Sequence, residues 1–325
     1  HNAMQKEAQR VDPYDAKPDT GVLGRILDVL SSRNVPGADG AKYATGGFSI
    51  DTPSVLVRGV PGESPDSSIV SRNGPVLFNP GAKEGDPWDI SSYIANINNA
   101  TSTGTSSVYG ELWSESFLKA IEESKSLKTI LDQATLKTGE GGTESEDQKI
   151  SMVSRLIQTR NIRQSDRDMI FTEFGGWDHH SQMKYNIRIK LEKLNRVLTS
   201  FVNEMKALGV WNDVSLVVTS DFARTIVPNS GAGSDHAWGG HYFMMGGGVK
   251  GGKIHGQYPS DLTAEGPLNI GRGRGRMIPT LAWDSIWNGI AEWCGVEDTA
   301  GLDEVLPNRH KTGSALLTKS DLFNN

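Results

Sequence analysis

The sequence predicts an α/β fold in which a mostly parallel sheet is sandwiched between helices. Apolar residues recur every three or four positions in several segments, as in helices that pack one face on a core. Short continuous apolar runs lie between these segments, which is typical of strands covered on both faces. The longest helical pattern joins two such runs, so the strands of this crossover should be parallel. We expect residues 1–325 to form one domain.

The first element is a helix that follows a polar Asp19–Thr20 start. Residues 21–30 place their apolar side chains on a single face, and this face should dock on the sheet. The members of the face are Leu23, Ile26, Leu27 and Leu30.

Residues 36–145 form a loop-rich insert region, because Gly, Pro, Asn and Asp interrupt its apolar runs. Short strands are predicted at 54–58 and 75–78. Helical spacing returns at 111–137, and another helix is predicted at about 146–160 after an exposed glycine-rich loop.

The next segment has the clearest pattern. A short buried strand at 169–172 precedes a helix that should end before Gly209, a residue suited to a left-handed cap. A continuous apolar strand follows at 214–219. The apolar positions of the helix are separated by steps of three and four, and they are Met183, Ile187, Leu191, Leu194, Leu198, Phe201, Met205 and Leu208.

The final predicted helix spans 284–294 and carries the single cysteine, Cys294. Ile286, Trp287, Ile290 and Trp293 should face inward. Cys294 is expected to be a core residue, and one cysteine excludes an internal disulfide.

Acidic and imidazole side chains follow the two predicted strands closely. In open α/β sheets the ligand site lies beyond the carboxyl ends of the strands. Asp178 and His180 share one irregular loop, Asp221 follows the next strand, and His236 or His241 comes from a third loop. This donor set suits one divalent metal ion, zinc before iron or manganese.

Other polar residues near these loops have two interpretations. Arg224 either binds a phosphate or sulfate group or pairs with a nearby carboxylate. Asp235 and His179 are expected to support the metal ligands without binding the ion. Asp235 would do so by accepting the ring proton of a liganding histidine. The alternative is that Asp178 and His180 cap the long helix while His236 and His241 only hydrogen-bond to loops. Trp177 and Trp238 are expected to wall the pocket rather than contact a substrate.

Composition limits the classes of partner. The net charge of −6 gives no reason to expect nucleic acid, and no uncharged apolar window is long enough for a transmembrane segment. An Asn99–Ala100–Thr101 sequon favours a secreted, periplasmic or lumenal protein over a cytoplasmic one.

Several motifs in fixed order resemble a family of unknown function placed within the alkaline phosphatase and sulfatase superfamily. The resemblance is best over residues 150–310. The matching segments are 176–182 (GWDHHSQ), 207–214 (ALGVWNDV), 219–225 (TSDFART), 233–239 (GSDHAWG), 246–253 (GGGVKGGK), 272–279 and 293–296 (WCGV).

This resemblance implies an alkaline-phosphatase-like sheet and a metal-dependent hydrolase of phosphate or sulfate esters. It implies that Asp178, His180 and His236 bind one metal ion and that Asp221 is the aspartate of a second, with Arg224 and His241 in the catalytic machinery. Phe222 stands where many superfamily members have a histidine, so one ion is expected rather than two.

The nucleophile of such enzymes precedes the matched region, and we expect it to lie upstream of His1. The nucleophile is therefore unknown. Its absence from the chain and Phe222 favour the alternative, a catalytically degenerate relative that serves as a structural or interaction subunit of a larger assembly.

Overall fold

The chain contains both helices and strands, which confirms the mixed α/β character of the predicted fold. The structure is a computed structural model, and it describes residues 2–17, 19–32, 45–62, 67–78, 94, 108–139, 141–270, 273–313 and 315–324. The sequon at Asn99 lies outside these residues, as does much of the predicted insert region. The helices with described bounds are α1 (Asn2–Arg10), α2 (Val22–Ser32), α3 (Val108–Asp132), α4 (Ser145–Gln158), α5 (Met183–Ala207), α6 (Trp283–Cys294), α7 (Thr299–Val305) and α8 (Lys319–Leu322). The strands are β1 (Thr45–Ile50), β2 (Ser68–Ser71), β3 (Gly74–Pro75), β4 (Arg167–Phe171), β5 (Leu216–Val218), β6 (Ala223–Arg224), β7 (His236–Ala237) and β8 (Phe243–Met245).

The largest sheet has the strand order β3-β2-β1-β4. β1 runs parallel to both of its neighbours, with Phe48 opposite Ser68 on β2 and Ile170 on β4, whereas β2 and β3 are antiparallel. β1 and β2 were not predicted from the sequence. The strand predicted at 54–58 is a turn, and of the strand predicted at 75–78 only Pro75 belongs to a strand.

Helices cover this sheet on both sides. The side chains of β4 alternate, as expected for a strand: Met169 and Phe171 pack with α2, α6 and α7, while Ile170 packs with α4 and α5. The predicted helices at 21–30 and 284–294 are therefore confirmed as core elements. Cys294 is buried as expected, and burial raises the pKa of its thiol to about 12.

The long helix α5 forms within the predicted range, and Gly209 follows it with a left-handed φ of 73°. Its predicted apolar face is buried only in the C-terminal half, at residues such as Phe201 and Met205, while Leu191 is 51% exposed. Periodicity alone does not show where a helix leaves the body of the fold, since that depends on what packs against it.

The strands on either side of α5 are not hydrogen-bonded to each other within the described ranges, so their parallel direction stays a prediction. β5 pairs antiparallel with β8, Val217 lying opposite Met244. β8 follows β5 only after the β6–β7 ribbon, so its return beside β5 depends on packing of the intervening loops. No helix in the described part of the chain has both the length and the apolar character needed to cross a bilayer.

Glu204 joins α5 to the segment that follows α3. Its carboxylate accepts hydrogen bonds from the backbone N–H groups of Lys137 and Thr138, both at 2.9 Å, and from the Thr138 hydroxyl at 2.8 Å. Burial alone would raise the pKa of Glu204, but these hydrogen bonds outweigh it and lower the pKa below 4.5.

We expect Glu204→Gln to reduce the free energy of unfolding at neutral pH by about 1 to 3 kcal/mol, because one partly buried N–H group loses its charged acceptor. The folded-state pKa of Glu204 is lowered, so its contribution is complete above 4.5 and is lost as the pH falls through the folded-state pKa. Urea unfolding over this range should show the difference between wild type and variant shrinking in acid. Glu123→Gln on the exposed face of α3 is the control, and an equal effect of both substitutions would contradict the prediction.

Candidate metal centre

Two structural elements bring the candidate ligands together. Asp178 and His180 lie in the irregular segment between β4 and α5, and His236 begins β7. β7 pairs antiparallel with β6, so that His236 lies directly opposite Arg224. A backbone bridge between Ser181 and Ala232 joins the β4–α5 loop to the loop that precedes β7.

Asp178, His180 and His236 form a compact group of ligand atoms. The Oδ1 atom of Asp178 is 2.9 Å from Nε2 of His180 and 2.9 Å from Nε2 of His236. One donor atom from each residue lies within 4.8 Å of the other two. The side chains are 33 to 51% exposed, so a ligand can reach them from solvent.

The chemistry of this trio fits a divalent metal ion. Two imidazole nitrogens and one carboxylate oxygen are a common zinc ligand set. His180 directs Nε2 toward Asp178, and its Nδ1 atom is 3.2 Å from Oδ1 of Asp235. A carboxylate on the outer ring nitrogen is the usual means by which a liganding histidine is oriented. The predicted supporting role of Asp235 therefore agrees with its position.

Arg224 contacts the trio through Asp178. Its Nη2 atom donates to Oδ1 of Asp178 at 2.7 Å and to the carbonyl oxygen of Trp177 at 2.9 Å, and its Nη1 donates to the carbonyl of Ser234. Burial alone would raise the pKa of Asp178, but hydrogen bonds from His236 and Arg224 lower it below its ordinary value. Asp178 is therefore ionised at neutral pH, as a metal ligand must be.

The remaining predicted residues lie outside the trio. The ring of His241 stacks on that of Tyr258 with centroids 5.3 Å apart. Burial raises the pKa of Tyr242, and the negative charge of Asp221 raises it further. Neither His241 nor Asp221 belongs to the described group of ligand atoms. The ring of Phe222 stacks on His236 with centroids 4.4 Å apart, so it covers one face of a predicted ligand.

His179 does not belong to the described group of ligand atoms. Its Nε2 atom is buried and has no hydrogen-bond partner in the described structure. Burial lowers the pKa of His179, and the charges of Arg224 and Lys190 lower it further. We therefore expect a neutral imidazole at this position.

Sequence analysis missed Asn229, which organises the loop before β7. Its side-chain nitrogen donates to the carbonyl of His180 at 3.0 Å and to Oδ1 of Asp235 at 3.2 Å. Its side-chain oxygen accepts from the backbone N–H groups of Gly231 and Gly233, both at 3.0 Å. Asn followed by glycines is typical of such turns, and this signal could have identified the residue.

Asn229→Ala should weaken zinc binding about 10- to 100-fold, because Asp235 and the His180 backbone lose the group that fixes them. The measurement is a zinc titration against a chromophoric chelator. Asn229→Asp retains the acceptor for both glycines but brings a second carboxylate to Asp235, so it should also weaken zinc binding. Asn73→Ala, in the exposed β2–β3 turn, should bind zinc like wild type; unchanged affinity in both Asn229 variants would contradict the assignment.

The trio lies inside the region that matches a known family. A model for the family described as "Protein of unknown function (DUF1501)" matches residues 98–270, which is more than half of the chain. The chain has no significant match among curated proteins or among solved structures.

Proposed function

We propose that this chain, which belongs to the DUF1501 family of proteins of unknown function, is a metal-dependent hydrolase of phosphate or sulfate esters. The observation that carries the proposal is the convergence of Asp178, His180 and His236 on one point at the protein surface. We further propose that these residues bind one divalent ion, with zinc the best fit to two imidazoles and a carboxylate.

A bound ion would polarise the ester and lower the pKa of a water molecule that it binds. In the overall reaction the bond from phosphorus or sulfur to the alcohol oxygen breaks, water supplies the replacement oxygen, and the alcohol leaves with a proton. Asp178 supplies the negative charge of the ligand set, and Asp235 holds His180 in position. Arg224 keeps Asp178 ionised and adds positive charge beside the site, which favours an anionic substrate.

The architecture supports an alkaline-phosphatase-like arrangement as part of the proposal. β1 is parallel to β2 and β4, and helices cover both faces of their sheet. A short loop connects the carboxyl end of β4 to Asp178, so Asp178 follows that end of the strand. This is the edge at which open α/β sheets bind their ligands.

Two observations favour the second candidate, a catalytically degenerate relative that serves as a structural or interaction subunit. Arg224 already donates three hydrogen bonds, to Asp178 and to the carbonyl groups of Trp177 and Ser234, so fewer of its N–H groups remain for an incoming anion. Phe222 covers one face of His236 where a further polar ligand would be needed for a second ion.

Metal analysis and ester hydrolysis by the intact protein separate the two candidates. We expect one zinc ion per chain and hydrolysis of 4-nitrophenyl phosphate or sulfate that is lost with a chelator. His236→Ala should reduce the rate more than about 100-fold, because a ligand is removed. His310→Ala, whose exposed ring pairs with Asp303, is the control and should leave the rate unchanged. Bound zinc with no hydrolysis of either ester would favour the degenerate relative.

A further inference from the structure

The β6–β7 ribbon presents the site residues on one of its two faces. Ala223 and Thr225 on one strand and Ala237 on the other are buried. Successive side chains of a strand point to opposite faces, so Arg224 and His236 share the other face, which carries the trio.

Two large apolar side chains follow the paired residues of the ribbon. Trp238 lies two residues after His236 and is 73% exposed, and Ile226 lies two residues after Arg224 and is 45% exposed. Trp238 was predicted to wall a pocket, and its exposure leaves the indole open to a ligand. Large exposed apolar groups close to a site in the chain are typical of a binding surface.

A third strip of chain extends this surface. The backbone N–H of Gly239 donates to the carbonyl of Met277 at 2.8 Å, and that of Ile226 donates to the carbonyl of Gly275 at 3.1 Å. The segment 275–278 therefore borders the ribbon, and its Ile278 is 40% exposed. We call Ile226, Trp238 and Ile278 the apolar rim.

Two arginines bring positive charge to the carboxylates of the site. Arg274 binds Oδ2 of Asp235 at 3.2 Å with a side chain that is 53% exposed, and Arg224 binds Asp178. An occupant that fits this arrangement has an anionic end for the metal ion and arginines, and an apolar end for the rim. A small polar alcohol would leave the rim in water.

We propose that the substrate is a phosphate or sulfate monoester of a bulky apolar alcohol, which stacks on Trp238 while its anionic group lies at the trio. This inference rests on the proposed hydrolase function. It names Trp238 as a specificity residue that contacts the substrate, because ring stacking on an exposed indole favours flat apolar groups.

The test compares hydrolysis of phenyl and 2-naphthyl esters, as phosphates and as sulfates, by the zinc-loaded intact protein. We expect kcat/KM to be roughly tenfold higher for the naphthyl ester, since its second ring can stack on the indole. Trp238→Ala should remove this preference and Trp238→Phe should keep part of it. Trp113→Ala, at a tryptophan on α3 that is 69% exposed, is the matched control and should retain the full preference.

Binding of a non-hydrolysable naphthyl phosphonate, measured by calorimetry, separates failure of this inference from failure of the hydrolase proposal. Hydrolysis without a naphthyl preference, or a preference that survives in Trp238→Ala, overturns the inference and leaves the hydrolase proposal standing. Phosphonate binding that depends on Trp238, with no hydrolysis of any ester, supports the apolar rim as a ligand surface and overturns the hydrolase. Neither binding nor hydrolysis overturns both.

Discussion

Asp178→Ala should lower the zinc affinity of the protein by more than about 100-fold, a larger loss than removal of an outer hydrogen-bond partner causes. Oδ1 of Asp178 is 2.9 Å from both histidine Nε2 atoms, and its carboxylate is the only negative charge in the trio. Without it, the positive charge of Arg224 beside the two imidazoles is no longer balanced by Asp178, which disfavours a cation. Competition with a chromophoric chelator measures the affinity.

Two further variants define the metal site. Asp178→Asn keeps the shape of the side chain but removes its charge, so it should also lose most of the affinity. Asp221→Ala tests the predicted second ligand, and because Asp221 lies outside the trio we expect this variant to keep one ion per chain. Wild-type zinc affinity in Asp178→Ala would contradict the proposed metal site. Two bound ions in the wild type and one in Asp221→Ala would instead support a site for two metal ions.

Gly233→Ala should disrupt both the metal site and the local fold. A Cβ atom at this position would lie 2.0 Å from the carbonyl carbon of His180 and 2.4 Å from the backbone nitrogen of Ser181. Both atoms are backbone, so the loop before β7 must move away from the loop that carries Asp178 and His180. We expect the free energy of unfolding to fall by about 2 to 4 kcal/mol and zinc affinity to fall with it.

Gly175→Ala is the matched control for this close approach. It lies in the same β4–α5 segment, and a Cβ atom there would have no neighbour within 4 Å. Its free energy of unfolding should stay within about 0.5 kcal/mol of wild type. Chemical denaturation and the zinc titration would be measured on both variants, and a Gly233→Ala protein with wild-type stability and affinity would show that the two loops are not in close contact.

Local patterns identified most of the helices. The three- and four-residue steps of α2, α4, α5 and α6 reflect side chains that face one core, and Gly209 stops α5 because it adopts a left-handed conformation. The same local reasoning found the loop that carries Asp178 and His180, since polar residues follow an apolar run there, and the glycine-rich loop that carries His236. These features depend on neighbours a few residues apart, so the sequence by itself determined them.

Long-range packing decided the strands. β1 contains Gly46 and Gly47, so it has no apolar alternation to detect, yet it is an inner strand of the four-stranded sheet and pairs on both sides. The side chain of Leu27 on α2 would lie 3.3 Å from a Cβ atom at Gly47, which shows how closely the helix approaches the strand. The pairing of β5 with β8 likewise depends on residues far apart in sequence, and apolar character alone does not specify a strand's partner.

Only the tertiary structure selected among the candidate site residues. The spacing of the residues left His236 and His241 as alternatives from the third loop, and the fold brings His236 to Asp178 and His180 while His241 stacks on Tyr258. It also joins Arg224 to Asp178, through the ribbon register that places Arg224 opposite His236. A short motif fixes which ligand atoms are available, but the distances between them depend on how separate loops pack. That packing is set by the close approach of Gly233 to the backbone of His180 and by the hydrogen bond from Asn229 to Asp235.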